Sequence, residues 1–481
     1  MPPPGACLNI MEARQKQRGY GTFANPERFL NQDYQQLKQH CVTRGVMYVD
    51  DMFPPDAVSI GEGILRPSDL CRVQWLRPMV SKLSPFPNFI LDGISRFDVG
   101  QGVLGDCWFL ASLAALTFQP QIFEKVVPVD QTFDAKYCGL FHFRFWRFGK
   151  WVDVVIDDKL PTIDGRLLFA HSKDQNEFWP ALMEKAYAKV CGSYTDMVTG
   201  TPAEAMMDFT GGVHISLMCS AGQSSSLMGC GTPQGETPDN NILANGLVQG
   251  HAYTVTGMKQ VASRGKPVKL LRLMNPWGKG EWTGAWSDRS PLWKTLSVED
   301  RAALLSVADN GEFWLTLEDF CKFYTDLDIC SLSPNFLDGN FSRQWETTVY
   351  EGRWVAGTTA GGCSNNRDSF WTNPQYRVKI SGEHSGNEKN VLLSLMQKHD
   401  KRNRHLIQNF HIGISVFEGK FPPSFFNQAP AGQTKTYRNA REVVEYLTLK
   451  PAEYLIVPST FRPNEAASFL LTIITKEKTD G

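Results

Sequence analysis

The amino-acid sequence predicts an α+β protein, in which a two-lobed core of helices and strands is followed by an antiparallel β-sandwich. Up to about residue 332, apolar and amphipathic segments of helical length alternate with strand-like segments. After residue 343, short alternating segments are separated only by turn residues, which is typical of a sandwich. With 481 residues, the chain is long enough for several domains.

The first part of the chain predicts a leader and one lobe of the core. Residues 1–25 are rich in proline and glycine and then basic, and they predict a loose leader or a short anchor segment. Residues 26–210 form the first predicted lobe. Its predicted elements are helices at 34–41, 107–118 and 178–190 and a hairpin of strands at 141–146 and 151–156. The helix at 107–118 is apolar on nearly every side, so we expect it to be buried.

A glycine pair divides the predicted core. Gly211 and Gly212 can adopt dihedral angles that other residues avoid, which favours a hinge at this point. Residues 211–332 form the second predicted lobe, and residues 343–481 form the predicted sandwich. Strand-like segments of the sandwich lie at 353–357, 376–380, 391–395 and 469–474.

The composition is that of an ordinary globular protein. Hydrophobic residues make up 42% of the chain and charged residues 21%, and the formal net charge is −1. A nearly neutral chain gives no support for nucleic-acid binding. The eleven cysteines are scattered without a disulfide framework, and the N-terminus lacks a signal peptide. We therefore expect a cytoplasmic protein with free thiols.

The most informative segment is residues 101–111, with the sequence QGVLGDCWFLA. A glycine-containing turn runs into the apolar helix, and Cys107 stands in its first turn. The unpaired N–H groups of a helix N-terminus favour a thiolate, which is the reactive form of cysteine. Gln101 can supply an amide donor for a developing oxyanion. By position alone, however, Cys107 could equally be an inert buried thiol.

Two later segments supply partners for this cysteine. His251 opens the strand-like segment 251–256, and Asn275 follows the strand-like segment 269–274. A cysteine nucleophile needs a base, and the base needs a group that fixes its tautomer. Trp277 can cover the hydrogen bond between His251 and Asn275 and exclude water. Cysteine, histidine and asparagine in this order are typical of papain-like cysteine proteases.

The same segments resemble the active-site blocks of the calpain family. The matching motifs are QGxLGDCW at 101–108, GHAY at 250–253 and NPWG at 275–278, with further matches at 177–179, 184–189, 208–212 and 311–314. The resemblance extends from about residue 30 to the end of the chain. It implies a papain-like protease core followed by a C2-like sandwich, and a calcium-dependent intracellular cysteine endopeptidase that performs limited, regulatory proteolysis of extended protein segments.

The resemblance also implies two sites for Ca²⁺, a cation that prefers oxygen ligands. Carried over residue by residue, the first falls on the carboxylates of Asp98 and Glu177 and the carbonyls of Leu91 and Gly93. The second falls on Glu281, Asp288, Asn310 and Glu312, with a carbonyl from Ala308.

The chain departs from the family in several places. Asn310 stands where the family has aspartate, which removes one charge from the second site. The connection after Gly212 is shorter than usual, and residues 381–388 replace an acidic loop of the sandwich. A penta-EF-hand domain is not found in the 481 residues, so we expect no dimerisation with the small regulatory subunit.

Two alternatives remain open from the sequence. A transglutaminase-like acyl transferase also uses a cysteine nucleophile and a histidine base, but it orients the base with aspartate. A catalytically impaired binding or scaffold protein would result if the shortened second lobe never closed. A weak contact with anionic lipid through the C-terminal domain is a further expectation, since residues 398–405 are basic.

Overall fold

In this computed structural model, several helices begin after a capping side chain or end at a glycine. The structure describes residues 11, 14–15, 17–79, 83–134, 136–216, 226–235, 241–331, 345–381, 389–398, 409–419, 426, 428–475 and 479–480. Asp33 caps the first helix and Gly45 ends it in a left-handed conformation. None of the described helices is long and apolar enough to cross a membrane.

The chain divides into two units, and the larger consists of residues 27–146 and 152–330. Its helices are α1 (Tyr34–Arg44), α2 (Ala57–Ile60), α3 (Pro67–Leu70), α4 (Cys107–Leu116), α5 (Pro120–Val126), α6 (Trp179–Cys191), α7 (Pro202–Thr210), α8 (Val298–Leu304) and α9 (Leu317–Phe323), with 3-10 turns at Phe29–Asn31, Arg96–Asp98, Thr195–Met197 and Pro291–Thr295.

The first strands of the chain form two small sheets. They are β1 (Glu27–Arg28), β2 (Gln74–Leu76), β3 (Leu140–Arg147), β4 (Lys150–Asp157), β5 (Leu160–Ile163) and β6 (Arg166–Leu167). The sheet orders are β1-β4-β3 and β2-β5-β6. The predicted neighbouring strands at 141–146 and 151–156 are therefore confirmed as β3 and β4.

A six-stranded sheet follows, and two candidate catalytic residues lie next to the ends of its strands. Its strands are β7 (Val213–Ser216), β8 (Ser226–Gly231), β9 (Ala252–Ser263), β10 (Lys266–Met274), β11 (Glu312–Thr316) and β12 (Asp326–Ser331), in the order β11-β10-β9-β8-β12-β7. In this register Met274 pairs with Thr254 on one side and with Glu312 on the other. The residues just outside these strands, His251 and Asn275, therefore meet at the same edge.

The smaller unit contains residues 331–481, residues 147–151 and the described residues before Glu27. Its strands are β13 (Glu346–Trp354), β14 (Tyr376–Ile380), β15 (Val391–Lys398), β16 (Ile412–Glu418), β17 (Gly432–Gln433), β18 (Glu442–Leu447), β19 (Ala452–Thr460), β20 (Ala467–Thr475) and β21 (Thr479–Asp480), with a 3-10 turn at Phe370–Thr372. They form a four-stranded sheet, β13-β20-β15-β18, and a five-stranded sheet, β17-β16-β19-β14-β21.

Alternating residues of these two sheets share one apolar core. Leu393 and Leu471 belong to the first sheet, Ile414 and Ile456 to the second, and all four lie in the same buried cluster. Two antiparallel sheets with their inner faces packed together form a sandwich. The predicted α+β class with a C-terminal sandwich is confirmed.

The predicted hinge lies at the end of a helix within the larger unit. Gly211 ends α7 in a left-handed conformation, with φ of +68°. A side chain there would lie 2.8 Å from the Trp146 ring, so the position requires glycine for two reasons. The division into lobes at residues 26–210 and 211–332 stays a prediction. Most of the shortened connection after Gly212, and nearly all of 381–388 and 398–405, lie outside the described residues.

Candidate active site

The segment before Cys107 is held by close backbone contacts. A side-chain carbon on Gly102 would lie 2.3 Å from the carbonyl oxygen of Phe169, so only glycine fits there. The N–H of Gln101 donates to the carbonyl of Pro276 over 3.2 Å. All ten residues of α4 are buried, as predicted from their composition. This packing fixes the first turn of α4 against the segment that carries Asn275.

The thiol of Cys107 lies among backbone N–H groups. Those of Cys107 and Trp108 belong to the first turn of α4, and that of Ala252 belongs to the start of β9; all three stabilise a thiolate. Burial nevertheless raises the pKa of the Cys107 thiol to about 11, and the charge of Asp106 acts in the same direction. The N–H groups of the helix N-terminus thus favour the thiolate, as predicted, but desolvation outweighs them in this arrangement.

His251 is oriented by Asn275. The Nε2 atom of His251 lies 2.8 Å from Oδ1 of Asn275, which makes this nitrogen the N–H donor. The Nδ1 atom is buried and has no hydrogen-bond partner within the described ranges. Burial lowers the pKa of His251 to about 4, so the ring is neutral at pH 7. A neutral imidazole with Nδ1 free of a proton is the form that can accept one.

Asn275 is itself fixed by three backbone contacts. Its Nδ2 donates to the carbonyl of Gly280 over 3.1 Å, and its Oδ1 also accepts the N–H of Trp277 over 3.0 Å. Its own N–H donates to the carbonyl of Gly311 over 2.8 Å. These contacts leave the amide oxygen pointing at His251.

Trp277 covers the imidazole from one side. The ring centroids of Trp277 and His251 are 4.7 Å apart, and the rings are tilted by 50°. Tyr253 approaches the same imidazole edge-on at 5.1 Å. With His251 and Asn275 both buried, the hydrogen bond between them is shielded from water.

The start of strand β9, next to His251, lies against helix α4. The residue after His251 offers its N–H to the Cys107 thiol. Two residues further on, the hydroxyl of Thr254 donates to the carbonyl of Ala111 in α4 over 2.7 Å. The structure thus places the Cys107 thiol at the start of β9, next in sequence to His251, and binds His251 to Asn275. Among the described residues, Nδ1 of His251 makes no hydrogen bond to the thiol.

Gln101 has one amide N–H engaged. Its Nε2 donates to the carbonyl of Leu104 over 2.7 Å, and its Oε1 is buried with no partner in the described part of the chain. A side-chain amide carries two N–H donors. One therefore remains for a substrate oxygen.

The residues of the first candidate calcium site surround the loop at 88–98. Glu177 accepts the N–H of Leu91 over 2.9 Å and the hydroxyl of Ser172 over 2.7 Å. Asp98 accepts the N–H of Ser95 over 2.7 Å, and Gly93 turns the loop with φ of +95°. Burial raises the pKa of Glu177 to about 7, and the charge of Asp98 contributes.

The residues of the second candidate site surround the loop before β11. Glu281 accepts the N–H groups of Asn310 and Gly311 over 3.0 and 2.9 Å, and Asp288 accepts that of Ala308 over 3.2 Å. The side-chain oxygen of Asn310 accepts the N–H of Glu312 over 2.9 Å. The carbonyl of Ala308 accepts the N–H of Asn310 over 2.8 Å.

The donor chemistry of both sites fits calcium. Carboxylate and carbonyl oxygens are the ligands this cation takes. Burial raises the pKa values of Glu281 and Asp288, and neighbouring acidic groups act in the same direction. A bound cation would stabilise the ionised form of such carboxylates. Among the described residues, no group of three or more His, Cys, Asp or Glu side chains is arranged to hold a metal.

Two basic residues near these sites were not identified from the sequence. Arg96 makes two hydrogen bonds to Glu312, of 2.8 and 2.9 Å, and Lys173 reaches the carbonyl of Asn310 over 3.4 Å. Arg96 and Glu312 are 216 positions apart, so nothing in the local pattern indicated their pairing. Glu312, a candidate ligand, is thus engaged by an arginine in this arrangement.

Comparison with known proteins agrees with this geometry. Residues 48–331 match the family described as "Calpain family cysteine protease", and residues 350–474 match "Calpain large subunit, domain III". The calpain-1 catalytic subunit of Bos taurus is 41% identical over 515 residues, covering 99% of this chain and 71% of the relative. The human calpain-1 catalytic subunit is 40% identical over 513 residues, with the same coverage. The calpain-2 catalytic subunit of Macaca fascicularis is 38% identical, covering 99% of this chain and 72% of the relative.

Sequence similarity along nearly the whole chain, together with the Cys-His-Asn arrangement, leads to one assignment. The chain belongs to the calpain family, and it is a calcium-dependent cysteine endopeptidase.

Proposed function

We propose that Cys107 is the nucleophile of this peptidase, that His251 is its general base, and that Asn275 orients the base. The observation that carries the proposal is the imidazole of His251. Its Nε2 is bound to Asn275 over 2.8 Å, while its Nδ1 is buried and has no partner in the described residues. A buried nitrogen without a hydrogen-bond partner costs free energy, and its presence in a folded protein therefore suggests a functional role.

In the proposed reaction, Nδ1 of His251 takes the proton of the Cys107 thiol as sulfur attacks the substrate carbonyl. The C–N bond of the tetrahedral intermediate then breaks, and His251 gives its proton to the leaving amine. Water hydrolyses the resulting thioester and releases the free cysteine. The remaining N–H of Gln101 and the N–H of Cys107 hold the oxyanion, and Trp277 keeps water from the imidazole.

We assign the calcium ligands as two sets. The first is Leu91, Gly93, Asp98 and Glu177, and the second is Glu281, Asp288, Ala308, Asn310 and Glu312. Calcium held by these residues would supply positive charge that neutralises their carboxylates. The support is the donor chemistry and the mutual repulsion of acidic groups at each site.

Limited, regulatory cleavage of extended segments in the cytoplasm is our proposal for the biological role. Nine cysteines are described and no disulfide joins any two of them, which favours a reducing compartment. A weak contact of the sandwich with anionic lipid, and the absence of small-subunit dimerisation, stay predictions. Vesicle flotation and size-exclusion chromatography test them. The impaired-scaffold alternative is not favoured, because the chain matches catalytic subunits over nearly its full length.

The decisive experiment is labelling of Cys107 by the epoxide inhibitor E-64 with and without calcium. We expect labelling and casein cleavage in calcium, and loss of both in chelator. Cys107→Ala should abolish both, and Cys71→Ala, which changes an exposed thiol, should leave both intact. Casein cleavage by the Cys107→Ala protein would contradict the assignment.

The calcium ligands are tested without activity, in a Cys107→Ser background. A ligand that binds the folded state raises its melting temperature. Asp98→Asn and Glu281→Gln should each reduce the calcium-induced shift, whereas Glu299→Gln, at an exposed position in α8, should not. A full shift in both ligand variants would contradict the assigned sites.

A further inference from the structure

The residue just before the nucleophile, Asp106, has a fully buried carboxyl group. Neither carboxylate oxygen has a hydrogen-bond partner in the described part of the chain. Asp106 occupies the N-cap position of α4, but its side chain makes no capping hydrogen bond. A bare buried carboxylate is expensive, so such a group takes a proton or finds one on a neighbour.

The group opposite Asp106 is a second buried carboxyl, that of Glu184 in α6. Both oxygens of Glu184 accept the N–H of Ala170, over 3.1 and 3.0 Å, and Glu184 also interacts with Asp106. Two carboxylates are both acceptors, so they can form a hydrogen bond only if one of them carries a proton. Two carboxylate charges that interact in a buried site also repel each other, so the two groups are not both ionised.

Among the described residues, no cation acts on the pair to replace that proton. The other titratable groups that act on the pair are the Cys107 thiol and the phenol of Tyr194, just after α6. Tyr194 also interacts with Asp157 of β4. The nearby cation Lys185 is paired with that aspartate over 2.6 Å. Burial accordingly raises the pKa of Asp106 to about 7 and that of Glu184 well above its usual range.

We propose that Asp106 and Glu184 share one proton across α4 and α6, and that this pair is a positioning element which controls how readily Cys107 ionises. The proposal rests on Cys107 being the nucleophile. With the proton present, the pair carries a single charge and its hydrogen bond ties the N-cap of α4 to α6. When the proton leaves to solvent, two buried charges stand beside the thiol and oppose formation of the thiolate.

Two isosteric variants distinguish this role from a purely structural one, because they leave the charge in different places. Asp106→Asn keeps a hydrogen bond to Glu184 but removes the charge next to Cys107. Glu184→Gln keeps the hydrogen bond but leaves Asp106, the carboxyl next to the thiol, as the one group of the pair that can carry a charge. We therefore expect Cys107 to ionise more readily in the first variant and less readily in the second.

The measurement is the rate of Cys107 alkylation by iodoacetamide in chelator, read by peptide mass spectrometry from about pH 6 to about pH 9. At a given pH, Asp106→Asn should react roughly tenfold faster than Glu184→Gln, since one pKa unit corresponds to a factor of ten. The wild-type rate should rise by less than tenfold per pH unit while the pair titrates, whereas Asp106→Asn, which has no charge next to the thiol, should follow the full slope.

The matched control is Asp208→Asn, which changes another buried carboxylate that accepts the hydroxyl of Tyr187 over 2.8 Å. It should alter stability without changing the pH profile. Wild-type profiles in both pair variants would overturn the proposal. That result leaves E-64 labelling of Cys107 intact, so it differs from a failure of the nucleophile assignment, in which the Cys107→Ala protein stays active.

A second measurement does not depend on the folding of either variant. Infrared spectroscopy of the wild-type protein at neutral pH should show the carbonyl stretch of a protonated carboxyl. Where Asp106→Asn folds, that band should decrease. Absence of any such band in the folded wild-type protein would also overturn the proposal.

Discussion

At the scale of single residues, burial dominates the chemistry of the site. The helix N-terminus and the N–H of Ala252 stabilise a thiolate at Cys107, yet desolvation raises the pKa of the thiol to about 11. The same burial lowers the pKa of His251 to about 4. At neutral pH both groups are therefore uncharged, and the reactive thiolate–imidazolium pair is disfavoured in this arrangement.

This state predicts slow alkylation of Cys107 in chelator. We expect the iodoacetamide rate at about pH 7.5 to be at least roughly tenfold lower in chelator than in calcium, because the ion pair has to form first. Peptide mass spectrometry separates Cys107 from Cys71, an exposed cysteine that serves as the internal control. Equal rates for Cys107 with and without calcium would contradict the prediction.

At the scale of elements, the loop before α4 depends on one glycine. Gly102 lies against the carbonyl oxygens of Phe169 and Leu168, at 2.3 and 2.5 Å from where a side-chain carbon would stand. Gly105, in the same loop, would meet only the side chain of Val198, at 3.8 Å. The backbone that presents Gln101 thus tolerates a side chain at one position and not at the other.

Alanine at these two positions makes a matched pair. Gly102→Ala should push the loop from Leu168 and Phe169, destabilise the protein by about 1–3 kcal/mol and reduce E-64 labelling of Cys107. Gly105→Ala should change stability by about 0.5 kcal/mol or less and keep labelling. Urea unfolding and calcium-dependent labelling measure both effects. Equal behaviour of the two variants would contradict the close contact at Gly102.

At the scale of the whole molecule, buried ionisable groups set how stability depends on pH. His251 has a folded-state pKa of about 4, below its value of about 6.5 in an unfolded chain. Its contribution is fully present above about pH 6.5 and is lost as the pH falls toward 4. Asp106 and Glu184 have raised pKa values, so their contribution is present at low pH and is lost as the pH rises.

We therefore expect an acid limb that depends on His251. As the pH falls from about 6.5 to 4, protonation of His251 should lower the free energy of unfolding by about 3 kcal/mol. His251→Gln should make the free energy of unfolding depend less on pH in this range. His40→Gln, at an exposed position of α1, should keep the wild-type slope. Urea titration in chelator, followed by hydrogen exchange in α4, measures the effect. An unchanged slope in His251→Gln would show that burial does not depress its pKa.

Much of the fold was predictable because it rests on local signals. The apolar composition of residues 107–118 predicted the buried helix, and alternation predicted β3, β4 and three strands of the sandwich, β14, β15 and β20. The predicted strand at 353–357 overlaps β13 only at its last two residues. The three candidate active-site residues were also recognisable, since each lies at the boundary of an element in a distinctive motif. The pairing of Arg96 with Glu312 and of Asp106 with Glu184 was not predictable, because each joins segments distant in sequence.

By itself, the sequence determined which residue types the site contains and in what order they occur. Residue order determines the helix start at Cys107, the strand that follows His251 and the turn that holds Asn275. The tertiary structure decided their ionisation. It buries the thiol and the imidazole and places the carboxyls of Asp106 and Glu184 against each other. Desolvation depends on what packs around a group from distant parts of the chain, and no local pattern records that.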